Sequence, residues 1–264
     1  MVAADAAHRG MRAATRRKIA DRLDTKDVMR ATIKDKREVA HRTLMVVFDL
    51  GGEHFEFRPG QYFWVELPPR GYEDERGLRR HISVVTSPTE RGVLGLATRL
   101  RDSAFKRTLE ELEIGAAVDV EPPKGTFVLP DETDRPYVFV AGGIGITVFR
   151  SMLRYIADTQ LPHRVTLVYS NRDRASAAFV DELDDLQQRI AGLRVVLTMT
   201  DDDEWEGETR HIDADVLLDH LEADLRSYTY LVAGPPGMAE DVGDRIRAAG
   251  VPEEQVAVDK FSGY

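Results

Sequence analysis

Tyr137-Val138-Phe139-Val140-Ala141 is a continuous apolar run that ends in the turn Gly142-Gly143-Ile144-Gly145-Ile146-Thr147. A strand without polar alternation is buried on both faces, as in a parallel sheet covered by helices. A helical stretch, Val148 to Ala157, follows the turn. The alternation continues through a strand at Val165 to Tyr169 and a helix at Ala177 to Ile190. Arg194 to Met199, Val216 to Leu221 and Tyr228 to Ala233 extend it. Strand–helix–strand repetition predicts an α/β domain over residues 133–264, a parallel sheet with helices on both faces.

Residues 28–132 have a different texture. Leu44 to Phe48, Tyr62 to Leu67, His81 to Val85, Val93 to Ala97 and Val118 to Glu121 are short β-prone runs. Gly, Pro and Asp separate them at short intervals. Such spacing predicts a small all-β antiparallel barrel, with one helix near Ala104 to Leu112. Residues 1–27 are rich in Ala and Arg and read as a short helix or a solvated arm.

The chain has no cysteine. That excludes thiolate iron–sulfur clusters, Cys-ligated zinc, thiol nucleophiles and disulfides within it, and no metal site is expected. The net charge is −10. Residues 133–264 hold 13 Lys+Arg against 24 Asp+Glu, a balance of −11, so residues 1–132 carry +1. A chain of this acidity is a poor nucleic-acid binder. No apolar run approaches the roughly 18 residues of a membrane span, and residues 1–27 contain no apolar signal core. A cytoplasmic location is the expectation.

The glycines at 142, 143 and 145 permit a tight turn and close approach of a phosphate to backbone N–H groups. Their spacing is not the G-x-G-x-x-G fingerprint, and a tight turn without ligand is the plainer alternative. A second turn, Ala233-Gly234-Pro235-Pro236-Gly237-Met238, ends the last long strand. Two loops at the carboxyl ends of parallel strands can share one crevice.

Several segments, in order, give the chain a resemblance to the ferredoxin–NADP reductase superfamily. They are Arg58-Pro59-Gly60-Gln61-Tyr62, Arg80-His81-Ile82-Ser83, Arg101-Asp102-Ser103-Ala104-Phe105-Lys106 and Gly125-Thr126-Phe127. The two glycine-bearing loops and the aromatic tail Phe261-Ser262-Gly263-Tyr264 complete the set. The resemblance covers roughly residues 28–264 and implies a flavin-binding barrel followed by a nicotinamide-binding α/β domain. It implies FAD and NADP(H) or NAD(H) as cofactors.

By that resemblance, Arg80, His81, Ile82 and Ser83 form the flavin motif. Arg80 neutralises a flavin phosphate, and Ser83 sits near flavin N5. Arg101, Ser103, Ala104 and Phe105 hold the pyrophosphate. Gly142, Gly143, Gly145, Thr147, Gly234, Pro235, Pro236 and Met238 serve the nicotinamide side. Asn171 and Arg172 meet the adenosine end, with Arg172 or Arg174 able to favour NADP. Tyr264 stacks where the nicotinamide must land. Without the resemblance, Ser103 reads as a helix N-cap, Ser83 as a buried strand serine and Arg80 as a surface arginine.

Two positions depart from the family pattern. Ile82 stands where Tyr or Phe is usual, and an aliphatic side chain cannot stack as an aromatic does. Val148 replaces a proline frequent after the glycine-rich loop. The implied activity is hydride transfer between NAD(P)H and FAD, then electron delivery to a separate acidic carrier. Such a carrier is a ferredoxin, a flavodoxin or an oxygenase component. Arg70, Arg76, Arg79, Arg99, Arg101, Lys106 and Arg107 supply a basic barrel half for it. The alternatives are a flavin reductase that releases reduced flavin, and a non-catalytic nucleotide-binding redox subunit.

Overall fold

The computed structural model describes residues 28–261. The N-terminal helix or arm expected over residues 1–27, and the tail residues Ser262, Gly263 and Tyr264, lie outside the described residues.

Strands β1 (Met29–Ala40), β2 (Thr43–Asp49), β3 (Tyr62–Glu66), β4 (Arg79–Ser83), β5 (Val93–Arg99) and β6 (Ala117–Val120) form one sheet. Its order is β4-β3-β6-β1-β2-β5, and its pairs are antiparallel. Period-two alternation sends Val118 and Val120 inward and leaves Ala117 and Asp119 only partly covered. Phe48, Phe63, Leu94 and Leu96 complete the inner face. The sheet curls until its ends meet, where Val85, just past β4, donates its N–H to the Gly95 carbonyl of β5 at 2.9 Å. A Cβ on Gly95 would lie 2.8 Å from the Thr86 side chain, so the closure requires glycine there. Helix α1 (Ala104–Glu111) packs Phe105 and Leu109 into the same core.

Strands β7 (Tyr137–Gly142), β8 (Val165–Asn171), β9 (Leu193–Met199), β10 (Thr229–Gly234) and β11 (Val256–Lys260) form a second sheet, ordered β11-β10-β7-β8-β9. All its pairs are parallel. Alternate strand residues feed two cores. Phe139 and Leu167 pack with helices α2 (Ile146–Thr159) and α3 (Val180–Arg189). Val140 and Val232 pack with α4 (Ala214–His220) and α5 (Pro236–Ala248). This doubly covered parallel sheet is the architecture expected from the unbroken apolar run of β7.

The elements differ from expectation mainly at their ends. Helix α2 begins two residues early because Gly145 already has helical dihedrals, φ −56 and ψ −17. Helix α3 begins at Val180 rather than Ala177. Asp173 caps a 3-10 turn at Arg174–Ser176, and Phe179 then takes a left-handed φ of 64° before the helix. Val216 to Leu221 belongs to α4, which starts where Asp213 accepts the Val216 N–H at 2.9 Å. Among the described residues, no helix is long and apolar enough to cross a membrane.

Candidate functional site

The expected flavin motif lies on β4. Register pairs Tyr62 with Ser83, Phe63 with Ile82 and Trp64 with His81. Tyr62 and Trp64 flank His81, with ring centroids 5.5 and 5.0 Å away. Burial, then the neighbouring Arg80 charge, lowers the His81 pKa. Ser83 is buried at the end of the strand. Ile82 is also buried and belongs to the barrel core. Its methyl groups complete that core beside Phe63 and Phe105.

Arg80 is aimed toward the start of α1, with its guanidinium 5.4 Å from the Phe105 ring centroid. One nitrogen donates to the carbonyls of Arg76, Gly77 and Arg79 at 2.8, 2.9 and 2.9 Å. The other, Nη2, is buried without a hydrogen-bond partner. Lys106 is buried one turn into α1. Burial and the charges of Arg101, Arg80, Arg76 and Arg99 push its pKa down to about 8. An anion placed here would satisfy Nη2 and relieve the crowding of like charges, so these residues fit a phosphate group.

Two backbone donors at the start of α1, those of Ala104 and Lys106, have side-chain acceptors. Ser103 is the N-cap and accepts the Lys106 N–H at 3.3 Å. Asp74, from the β3–β4 connection, accepts the Ala104 N–H at 2.8 Å. Lys106, counted among the basic residues of the barrel half, is buried rather than presented to a carrier. Arg101 is exposed, and Ala104 and Phe105 are buried beneath the turn. Asp74 carried no signal in the sequence, because Ala104, the helix residue it caps, is 30 residues away.

On the second domain, β7 and β10 are neighbours, so the two glycine-bearing loops leave the sheet side by side. The glycines have a packing cause. A Cβ on Gly145 would lie 2.2 Å from the Ala233 carbonyl oxygen, and one on Gly142 would lie 2.8 Å from the Met238 sulfur. A Cβ on Gly234 would lie 3.2 Å from the Gly142 backbone. Gly143 differs: its φ is +51 and nothing lies within 4 Å of its missing Cβ. It is the turn position open to a ligand. The Thr147 hydroxyl donates to the Ile144 carbonyl at 3.0 Å and stiffens the turn. Pro235 and Pro236 are exposed, with Pro236 opening α5. Asn171 ends β8 beside the Tyr169 hydroxyl, and Arg172 is exposed beyond it. Arg174 pairs with Asp181 at 3.3 Å.

One organising residue escaped sequence reasoning. Arg150 on α2 is 2% exposed. It donates to the Val85 carbonyl at 2.6 Å and to Glu182 of α3 at 2.8 Å, and its guanidinium lies 5.1 Å from the Phe179 ring centroid. Next to it, the Ser151 hydroxyl donates to the Thr86 carbonyl at 2.7 Å. The segment just after the flavin motif is thereby fastened to the helix just after the glycine-rich loop. A cavity of about 1170 Å³ opens elsewhere between the domains, lined by Gly60, Tyr62, Gly125, Tyr137, Leu231 and Asp259. Neither Ser83 nor the glycine-rich turn lines it.

Comparison with known proteins agrees with this two-part layout. Residues 30–129 match the family described as "Oxidoreductase FAD-binding domain", and residues 139–244 match "Oxidoreductase NAD-binding domain". The chain is 32% identical over 207 residues to methane monooxygenase component C of Methylosinus trichosporium, covering 78% of this chain and 56% of that protein. It is 26% identical to the reductase component of propane 2-monooxygenase from Rhodococcus jostii (strain RHA1), covering 79% of this chain and 56% of that protein. The chain thus spans little more than half the length of these curated relatives. Among solved structures, the ferredoxin reductase in carbazole 1,9a-dioxygenase superposes with a TM-score of 0.74 at 25% identity. That match covers 89% of this chain and 69% of the other.

Proposed function

Because the chain belongs to the ferredoxin–NADP reductase superfamily, with an FAD-binding domain followed by an NAD-binding domain, we propose that it is an FAD-dependent reductase. It takes two electrons from NAD(P)H and passes them on to a separate carrier. The class of carrier is a ferredoxin, a flavodoxin or an oxygenase component, in line with the relatives named for oxygenases. The single observation that carries this reading is the Arg150 clamp. It fixes the flavin strand and the glycine-rich turn on one frame.

Bound FAD supplies a hydride acceptor that can release electrons one at a time. The chain's own residues do the rest. Arg80 and Lys106 neutralise phosphate at the start of α1, where Ser103, Ala104 and Phe105 set the turn. Ser83 presents a hydroxyl from the end of β4. Gly143 leaves its side of the turn open for a dinucleotide, while the contact of Gly145 with Ala233 keeps the two loops together. The adenosine end falls to Asn171 and Arg172. With Arg174 paired to Asp181, a 2′-phosphate would rely on Arg172. Alignment and water exclusion, rather than proton transfer, are what the protein contributes.

The test is anaerobic. FAD-reconstituted protein is titrated with NADPH and then with NADH while flavin absorbance is followed. Bleaching is expected, and the more effective donor identifies the dinucleotide. Failure to take up FAD contradicts the reading. A second reading, release of reduced flavin, draws on Ile82. Its burial in the barrel core leaves no aromatic ring at the position that usually stacks on flavin.

A further inference from the structure

The connection between β3 and β4 crosses the start of α1 and brings Asp74 into the expected phosphate site. One carboxylate oxygen accepts the Ala104 N–H at 2.8 Å. The other accepts the Arg76 N–H at 2.8 Å and lies 3.7 Å from Arg80 Nη2, the buried nitrogen without a hydrogen-bond partner. A two-oxygen anion that caps a helix N-terminus and faces a guanidinium has the chemistry of a phosphate. Two such anions cannot share one N–H and one guanidinium without strong repulsion.

The segment around Asp74 is exposed and bounded by glycines, and Arg80 holds its far end through the Arg76 and Gly77 carbonyls. Residues 73–77 are exposed. Gly71 and Gly77 flank Asp74 at φ +85 and +63, with no atom within 4 Å of either missing Cβ. Both are conformations that glycine adopts readily. Tyr72 stays tied to α1 through its hydroxyl, which donates to Glu111. Moving the carboxylate away would break its bonds to the Ala104 and Arg76 N–H groups while Tyr72 and Arg80 keep the loop attached.

We propose that Asp74 competes with a flavin phosphate: the carboxylate occupies the phosphate site and is displaced when a phosphate-bearing flavin binds. This rests on the flavin reading above. Flavin affinity is then reduced by the fraction of chains in which the loop is closed. The penalty falls on flavins that carry phosphate and spares riboflavin.

The test uses the full chain stripped of flavin, as wild type, Asp74→Asn and Asp74→Ala. Asparagine keeps an oxygen for the Ala104 N–H but removes the charge, which guards against simple loss of folding in the alanine variant. FAD and riboflavin are titrated by flavin fluorescence. Both variants are expected to bind FAD about fivefold or more tightly than wild type, with riboflavin affinity changed by less than about twofold. Hydrogen exchange supplies the second readout: amides of residues 74–77 in wild type should exchange faster once FAD is bound. FAD affinity unchanged or weakened in both variants overturns the proposal while leaving the flavin reading intact. Slower exchange of the loop on binding overturns it as well. No FAD binding by any of the three chains overturns both.

Discussion

Lys106 bears the largest electrostatic load of the barrel side. Burial comes first and four arginines follow, lowering its pKa from 10.5 to about 8. The charged form is disfavoured in the folded chain. The penalty is therefore full below about pH 8 and fades as pH rises toward 10.5, where the unfolded chain also loses the proton. Relative to Lys106→Met, wild type should gain about 2–3 kcal/mol of stability across that window. Urea unfolding at about pH 7 and pH 10 checks this, and identical pH dependence in the two chains would refute it. Gly145 makes a steric prediction. Gly145→Ala places a methyl 2.2 Å from the Ala233 carbonyl oxygen. The loops must part, at a cost of about 2–3 kcal/mol, and dinucleotide affinity should fall with stability. Wild-type affinity in that variant would show that the loop contact does not shape the site. The glycines themselves were legible in the sequence. Their cause was not, because a sequence does not reveal that Ala233 and Gly145 touch.

Among the elements, α2 shows how far a pattern can be read. Its apolar face made the helix evident, yet Arg150 within it looked like an ordinary charged position. Nothing local signals that the segment following β4 will cover it. Removing this guanidinium by Arg150→Met leaves Glu182 with Arg154 alone at 3.0 Å and frees the buried Val85 carbonyl. The expected loss is about 1–3 kcal/mol in urea unfolding, mainly from the unpaired Val85 carbonyl. FAD uptake and NAD(P)H affinity should weaken together, since the segment after β4 and the glycine-rich turn are both anchored to α2. A variant as stable as wild type would remove the clamp from the account. Other elements were hidden for simpler reasons. Strand β11 is short and mixes Val256 and Val258 with Asp259 and Lys260, so it shows no long apolar run. Strand β1 is rich in charge because much of its outer face meets solvent. Its pairing with β2 also shifts register at Ile33/Asp35 and Glu38/Ala40, which breaks strict alternation.

For the whole molecule, the change of texture near residue 133 was the most readable feature. The antiparallel sheet ends its strands at Val120 and the parallel sheet starts at Tyr137. The contact between the two was not readable, since it depends on carbonyls of Val85 and Thr86 meeting side chains of α2. That contact is what makes one path for electrons plausible chemistry rather than two unrelated binding domains. The most direct test is the stoichiometry of a coupled reaction. FAD-loaded protein, with no free flavin, is given limiting NAD(P)H and an excess of a one-electron acceptor such as ferricyanide, and both are counted. About two acceptors should be reduced for each NAD(P)H oxidised, at a rate that does not rise when free flavin is added. A rate that scales with free flavin would mean that reduced flavin leaves as product, and no oxidation of NAD(P)H at all would contradict the reductase assignment.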